Sequence, residues 1–153
     1  MKKFYFIFFI FLFCGYSFHS LLPSYIKKVE ITTIENKTTR AFIQEYLRDD
    51  LTQAFMKKGF DIVAYKGDMS FEVIITRFSK DPNYYDANQN VYRWKIEISA
   101  NVKCIDEVKG TTLWESNISR ISIYSSEEEE EENVKKVIKE MTNTIVERSL
   151  AAW

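Results

Sequence analysis

Cys14 is the residue whose type and setting most directly imply chemistry. It follows Met1-Lys2-Lys3 and the uncharged run Phe4 to Phe13, FYFIFFIFLF. Two lysines ahead of such a run form the n- and h-regions of a secretory signal, over residues 1–13. A cysteine directly behind them stands where a bacterial lipoprotein signal places the residue that is lipidated and becomes the new N-terminus. Phe13 occupies the position where that signal normally has a small residue. Three outcomes remain open: lipidation at Cys14, a plain cleaved signal, or an uncleaved anchor, although a spanning helix takes about 20 apolar residues. A Cys14–Cys104 disulfide is a further alternative. Cys104 continues an apolar strand face, where a free cysteine is a small buried hydrophobe.

The other chemistry-bearing residues do not assemble into a catalytic set. His19 is the single histidine, and without a cysteine cluster or an HExxH spacing no zinc site is expected. The four glycines are scattered, so there is no phosphate loop, and no G-x-S-x-G nucleophile turn occurs. Asp49-Asp50 lie among Arg48, Lys57 and Lys58 on a helix and read as surface charge. Glu127 to Glu132 lack the glycine-turned, spaced ligands of a calcium loop and read as a solvated first turn. Without Lys2 and Lys3 the basic residues number 19 against 22 acidic, a formal charge of −3, which argues against a nucleic-acid partner. No catalytic residue, metal or cofactor is expected.

These residues need a scaffold, and residues 26–153 are long enough for one domain, with 14–25 as the lipidated N-terminus and lead-in. Ile26 to Thr33 alternates as a strand, and Glu35 to Thr38 is a turn. A helix from about Thr39 to Lys58 carries Ile43, Leu47, Leu51 and Phe55 on one stripe, with Gly59 as its stop. Ile62 to Tyr65 is either a short strand or an extended lead-in. Met69 to Phe78 is the second main strand, and Ser79 to Asn90 reads as the longest irregular loop. Tyr92 to Cys104 alternates without a break, and Thr111 to Tyr124 is the fourth strand. Its apolar phase slips between Ile118 and Ile121, which predicts a bulge near Ser119 and Arg120. Ser126 and Glu129 form a capping box for a final helix with Val134, Val137, Ile138, Met141 and Ile145 on its buried stripe. The expected fold is α+β, order β-α-β-β-β-α, with two helices on one face of a four-stranded mixed sheet.

In this order, several short segments resemble the LptE family of lipopolysaccharide-assembly lipoproteins. They are Cys14-Gly15-Tyr16-Ser17-Phe18, then Pro23 and a first strand running into Glu35-Asn36-Lys37-Thr38, then Leu51-Thr52-Gln53-Ala54-Phe55. Leu113-Trp114-Glu115, Tyr124, the glutamate-rich helix start and the terminal Trp153 continue the match across the mature chain.

The resemblance implies a protein on the periplasmic side of the outer membrane, lipid-anchored at Cys14. It would plug the lumen of an LptD-like β-barrel translocon, help that barrel assemble, and interact with lipopolysaccharide. It also implies two helices on a four-stranded sheet. The basic residue that some relatives carry after the fourth strand has no counterpart at Tyr124-Ser125-Ser126-Glu127. Arg77, Lys80 and Arg93, around the long loop with Tyr84 and Tyr85, are the cations that could pair with lipid phosphates. The competing readings are a generic periplasmic or envelope interaction lipoprotein without a lipopolysaccharide role and, more remotely, an enzyme.

Overall fold

The computed structural model describes residues 23–153. Cys14, the signal segment and His19 lie outside the described residues. The strands are β1 (Lys28–Asn36), β2 (Asp61–Val63), β3 (Met69–Tyr85), β4 (Val91–Asp106) and β5 (Thr111–Tyr124). Helix α1 is Phe42–Lys57, and α2 is Glu130–Ala151 behind a 3-10 turn at Glu127–Glu129. The strands form one sheet in the order β2-β1-β3-β4-β5.

The expected four-stranded sheet is therefore corrected to five strands. The addition is β2, which pairs parallel to β1 through Lys28↔Asp61, Val29↔Ile62 and Glu30↔Val63. Three residues are too few for a period-two pattern, so its place depends on backbone pairing at the β1 edge. β1 also pairs parallel with β3, while β3–β4 and β4–β5 are antiparallel hairpins.

Both helices cover one sheet face. Ile43, Leu47, Leu51 and Phe55 of α1 and Val134, Val137, Ile138, Met141 and Ile145 of α2 are buried against Phe71, Val73, Ile75, Ile96, Ile98, Ala100 and Val102. At roughly 1.5–3 kcal/mol for each large apolar side chain taken out of water, this layer is the main source of stability. Asn36 organises the β1–α1 turn: its Oδ1 accepts from Thr38 N at 2.9 Å and its Nδ2 donates to Arg40 O at 2.9 Å. At the far end of α1, Gly59 takes φ +88°, which only glycine adopts without strain, and its amide donates to Met56 O at 2.9 Å. Among the described residues, no helix is long and apolar enough to cross a membrane.

Three local expectations change. The Ser79–Asn90 loop is mostly strand: Ser79 to Tyr85 continue β3 and pair with β4, leaving a short turn in which Asp86 Oδ1 accepts from the amides of Asn88 and Asn90 at 2.8 Å. Register shifts on either side of Tyr84 accommodate Pro82, which has no N–H for the ladder. The expected bulge at Ser119–Arg120 is absent, because that stretch pairs continuously with β4 and the irregularity lies at Cys104/Ile105, opposite Leu113. Ile121 and Ile123 instead point out from the uncovered face, 50% and 49% exposed. The capping box is half formed: Ser126 Oγ accepts from Glu128 N at 3.3 Å, and no bond returns from the Glu129 side chain.

Candidate functional site

The uncovered sheet face is broad and polar. Asn117 Nδ2 donates to Asn101 Oδ1 at 2.8 Å, Ser99 Oγ to Ser119 Oγ at 3.1 Å, and Ser119 Oγ to Glu97 Oε1 at 3.2 Å. Lys103 lies 3.8 Å from Glu72 and Lys95 3.9 Å from Glu97. The rows follow from period two in β4: Ile96, Ile98, Ala100 and Val102 go under the helices, so Lys95, Glu97, Asn101 and Lys103 face away. Such a face offers many weak polar contacts over a wide area, with Ile121 and Ile123 as exposed apolar points on it.

The three cations singled out around the hairpin divide between the two faces. A bulge between Ile75 and Arg77 shifts the phase of β3. Arg77, paired with Ser99, is thereby turned to the open face, while Phe78 and Lys80, paired with Ile98 and Ile96, turn under the helix layer. The signal for this was the three-residue step from Ile75 to Phe78, which breaks the Phe71, Val73, Ile75 alternation.

Lys80 is the centre of a compact cluster. Its Nζ lies 2.6 Å from Glu130 Oε2, 3.4 Å from Glu127 Oε1 and 4.7 Å from the centroid of the Trp94 ring. The Glu130 hydrogen bond holds the Lys80 ammonium above its ordinary pKa. Glu130 also meets Arg40 Nη2 at 3.3 Å, and the Arg40 guanidinium sits 5.3 Å from the Phe78 ring centroid. Burial raises the neighbouring Tyr124 phenol, with the Lys80 charge opposing. The start of α2 is thereby tied to β3 and to the β1–α1 turn.

Arg93 is exposed at the hairpin, 5.9 Å from the Tyr84 ring centroid and 5.6 Å from that of Tyr92. Neither Arg93 nor Arg77 has an ion-pair partner among the described residues. Tyr84, Tyr85 and Tyr92 are each more than half exposed. The hairpin therefore presents unpaired guanidinium beside aromatic rings, a combination suited to anions carried next to apolar groups. Tyr92 belongs to this set and was read only as a strand-face aromatic.

Asp49 and Asp50 line a groove of about 820 Å³ between α1 and α2, along with Tyr46, Asn133 and Lys139. Burial raises the Asp50 carboxyl, and Lys139 and Lys57 counter it. Among the described residues, no three His, Cys, Asp or Glu side chains converge as a metal site. Cys104 is fully buried and burial pushes its thiol up to about 12.

No curated protein sequence matches this chain. Among solved structures, the fold is similar to rare lipoprotein B from Shewanella oneidensis, at 11% identity and a TM-score of 0.59, covering 82% of this chain and 95% of that one. It is similar to the hypothetical protein CT253 from Chlamydia trachomatis, at 8% identity and TM-score 0.62, covering 82% and 96%. Protein XCC0632 from Xanthomonas campestris matches at 13% identity and TM-score 0.62, covering 82% and 85%. At these identities the likeness concerns the fold alone. Residues 26–149 match the family model described as LptE: Lipopolysaccharide-assembly. The chain belongs to the LptE family: it is an outer-membrane lipoprotein, lipid-anchored on the periplasmic side, with a role in assembly of the lipopolysaccharide translocon and no enzymatic activity.

Proposed function

We propose that this lipoprotein is the plug of an LptD-like outer-membrane β-barrel and that it contacts lipopolysaccharide through the hairpin end of its sheet. The observation that carries the plug reading is the open face, with its hydrogen-bonding Asn101–Asn117 and Ser99–Ser119 rows. A large barrel has a polar lumen, and a wide polar sheet face is complementary to it. Cys14 carries the lipid in this reading, because Cys104 is sealed in the core. Several acyl chains, or one chain plus the barrel, are needed for stable attachment.

For lipopolysaccharide the proposed contacts are Arg77, Lys80 and Arg93. Arg93 leads, since its guanidinium is exposed between Tyr84 and Tyr92, and phosphates beside acyl chains call for a cation on an aromatic rim. Arg77 adds charge on the same open face. Lys80 joins only by exchanging Glu130 and Glu127 for phosphate.

The test is Arg77→Glu with Arg93→Glu, measured for lipopolysaccharide binding at low and high salt and for barrel co-purification from membranes. Loss of a salt-sensitive binding component with the barrel complex intact supports the reading. Unchanged lipid binding removes these residues from the site, and loss of the barrel assigns the hairpin to the protein interface.

A further inference from the structure

The end of the domain opposite the hairpin has a consistent composition. Three separate connections each present an exposed apolar side chain with lysine directly behind it. Met56, 59% exposed, precedes Lys57-Lys58 at the end of α1. Tyr65, 73% exposed, precedes Lys66 in the β2–β3 connection. Val108, 60% exposed, precedes Lys109 in the β4–β5 turn.

Backbone pairing brings these connections to one end. Asp61 N, just after the α1 terminus, donates to Lys27 O at 2.9 Å, Asp68 N to Lys28 O at 2.8 Å, and Glu107 N to Asp68 O at 2.9 Å. Most carboxylates at this end are held in hydrogen bonds, although Asp61 and Glu107 remain exposed. Asp106 is fully buried and accepts from the Tyr25 hydroxyl at 2.8 Å, and Asp68 accepts from the amides of Lys27 and Lys28. Glu30 accepts from Gly67 N, and Glu107 from the Ser70 hydroxyl. Lys57, Lys58 and Lys66 have no ion-pair partner among the described residues. In these connections the exposed Lys27, Lys28, Lys57, Lys58, Lys66 and Lys109 outnumber the exposed Asp61 and Glu107, so the net charge facing outward is positive, while Glu127 to Glu132 stand at the other end of the domain.

The entry point of the chain lies here too. Tyr25 meets Trp153 with ring centroids 6.2 Å apart, and Lys109 Nζ lies 5.3 and 5.6 Å from the two rings. The link from Cys14 to Pro23 can reach at most about 30 Å. The 16 residues of β4 at about 3.3 Å each make the sheet about 50 Å long. The inverted pose, hairpin toward the anchor and Pro23 away from it, is beyond that reach.

We propose that this lysine-and-apolar end docks on the anionic phospholipid surface of the leaflet that holds the anchor, orienting the free lipoprotein before it meets its barrel. The apolar tips enter the headgroup region and the lysines meet lipid phosphates, the division of labour of an interfacial anchor. The proposal rests on lipidation at Cys14 and is independent of the barrel reading.

The test uses the full lipidated chain in vesicles with and without phosphatidylglycerol in phosphatidylcholine. An environment-sensitive dye is placed at Val108→Cys or, at the hairpin, Asn88→Cys, and quenched by headgroup-labelled lipid. Buried Cys104 does not compete for the dye. The expected result is strong quenching at Val108 on anionic vesicles and little at Asn88. Each lysine reversed within Lys57→Glu, Lys58→Glu and Lys66→Glu should weaken surface association by at least about fivefold, the effect of losing one positive charge, so the triple variant should quench no more at Val108 than at Asn88. These three side chains are exposed, and near-ultraviolet circular dichroism verifies that the variant folds. Equal quenching at both ends, or Val108 quenching indifferent to lipid charge and to the reversals, would overturn the proposal. Intact mass reads the anchor separately: acylated Cys14 with equal quenching sinks the docking surface alone, and an unmodified Cys14, which would itself take the dye, overturns the proposal at its anchor.

Discussion

Lys80 Nζ lies 2.6 Å from Glu130 Oε2, a bond that ties the middle of a long hairpin to the first residue of the last helix. The two side chains are only 19% and 22% exposed. The same ammonium sits over the Trp94 ring, and Arg40 reaches Glu130 from the β1–α1 turn. Glu130 is one of six consecutive glutamates, and it is the one that two cations hold in place.

A double-mutant cycle of Lys80→Met and Glu130→Gln should give a coupling energy of about 1 kcal/mol by urea unfolding. Glu131→Gln with Lys80→Met should give none. Equal coupling for the two glutamates would mean that the run acts as a diffuse charge rather than through Glu130.

Ile98→Asp should cost at least about 4 kcal/mol, since it buries an unpaired charge in a fully occluded layer. Asn101→Asp should change stability by less than about 1 kcal/mol, because the exposed side chain keeps the acceptor that Asn117 uses. Thermal and urea midpoints of the two variants check the face assignment of β4, and similar losses would refute it.

The period-two strand Tyr92 to Cys104 and the helical stripes of α1 and α2 were legible because burial repeats along them for several turns or rungs. β2 was legible only as an alternative, with Ile62 to Tyr65 read as a short strand or an extended lead-in and left out of the strand count, since three residues carry no period. Ser79 to Tyr85 read as a loop because Asp81, Pro82 and Asn83 are turn formers, yet β4 supplies a partner strand for each register and the bulges absorb the proline. Ile121 and Ile123 were assigned to the face opposite Ile118, as observed, but their apolar character suggested a bulge where the strand simply carries apolar residues outward. For the candidate site, Arg93 and its tyrosines were adjacent in sequence. That Lys80 and Arg77 face opposite ways follows from their three-residue spacing, but which of them goes under the helices depends on a bulge at Thr76, and the pairing of Lys80 with Glu130 joins segments whose distance no local pattern encodes.

Gly67→Ala should destabilise by about 1–3 kcal/mol through overpacking. An added Cβ would stand 2.7 Å from Glu30 Cβ and 2.8 Å from Glu30 N, so backbone must move. Unchanged unfolding midpoints would mean that the β2–β3 connection is not fixed against β1.

Acid sensitivity should include a contribution from Asp68. The amides of Lys27 and Lys28 hold its carboxyl below the ordinary value of 3.8. A depressed folded pKa means that the unfolded chain binds more protons between the two values. Asp68 therefore stabilises the fold above 3.8 and that contribution is lost as pH falls through the lower folded value. Asp68→Ala should lower stability at pH 7 and show a shallower further loss between about pH 4 and pH 2 than the parent. Parallel pH profiles for parent and variant would contradict this.

Site-specific photocrosslinking in native membranes tests the plug role most directly. A crosslinker at Asn117 on the open sheet face and another at Lys139 on the helix side should both capture the same outer-membrane β-barrel protein, identified by mass, because a lumen surrounds its plug. Capture of no barrel from either position would contradict the account.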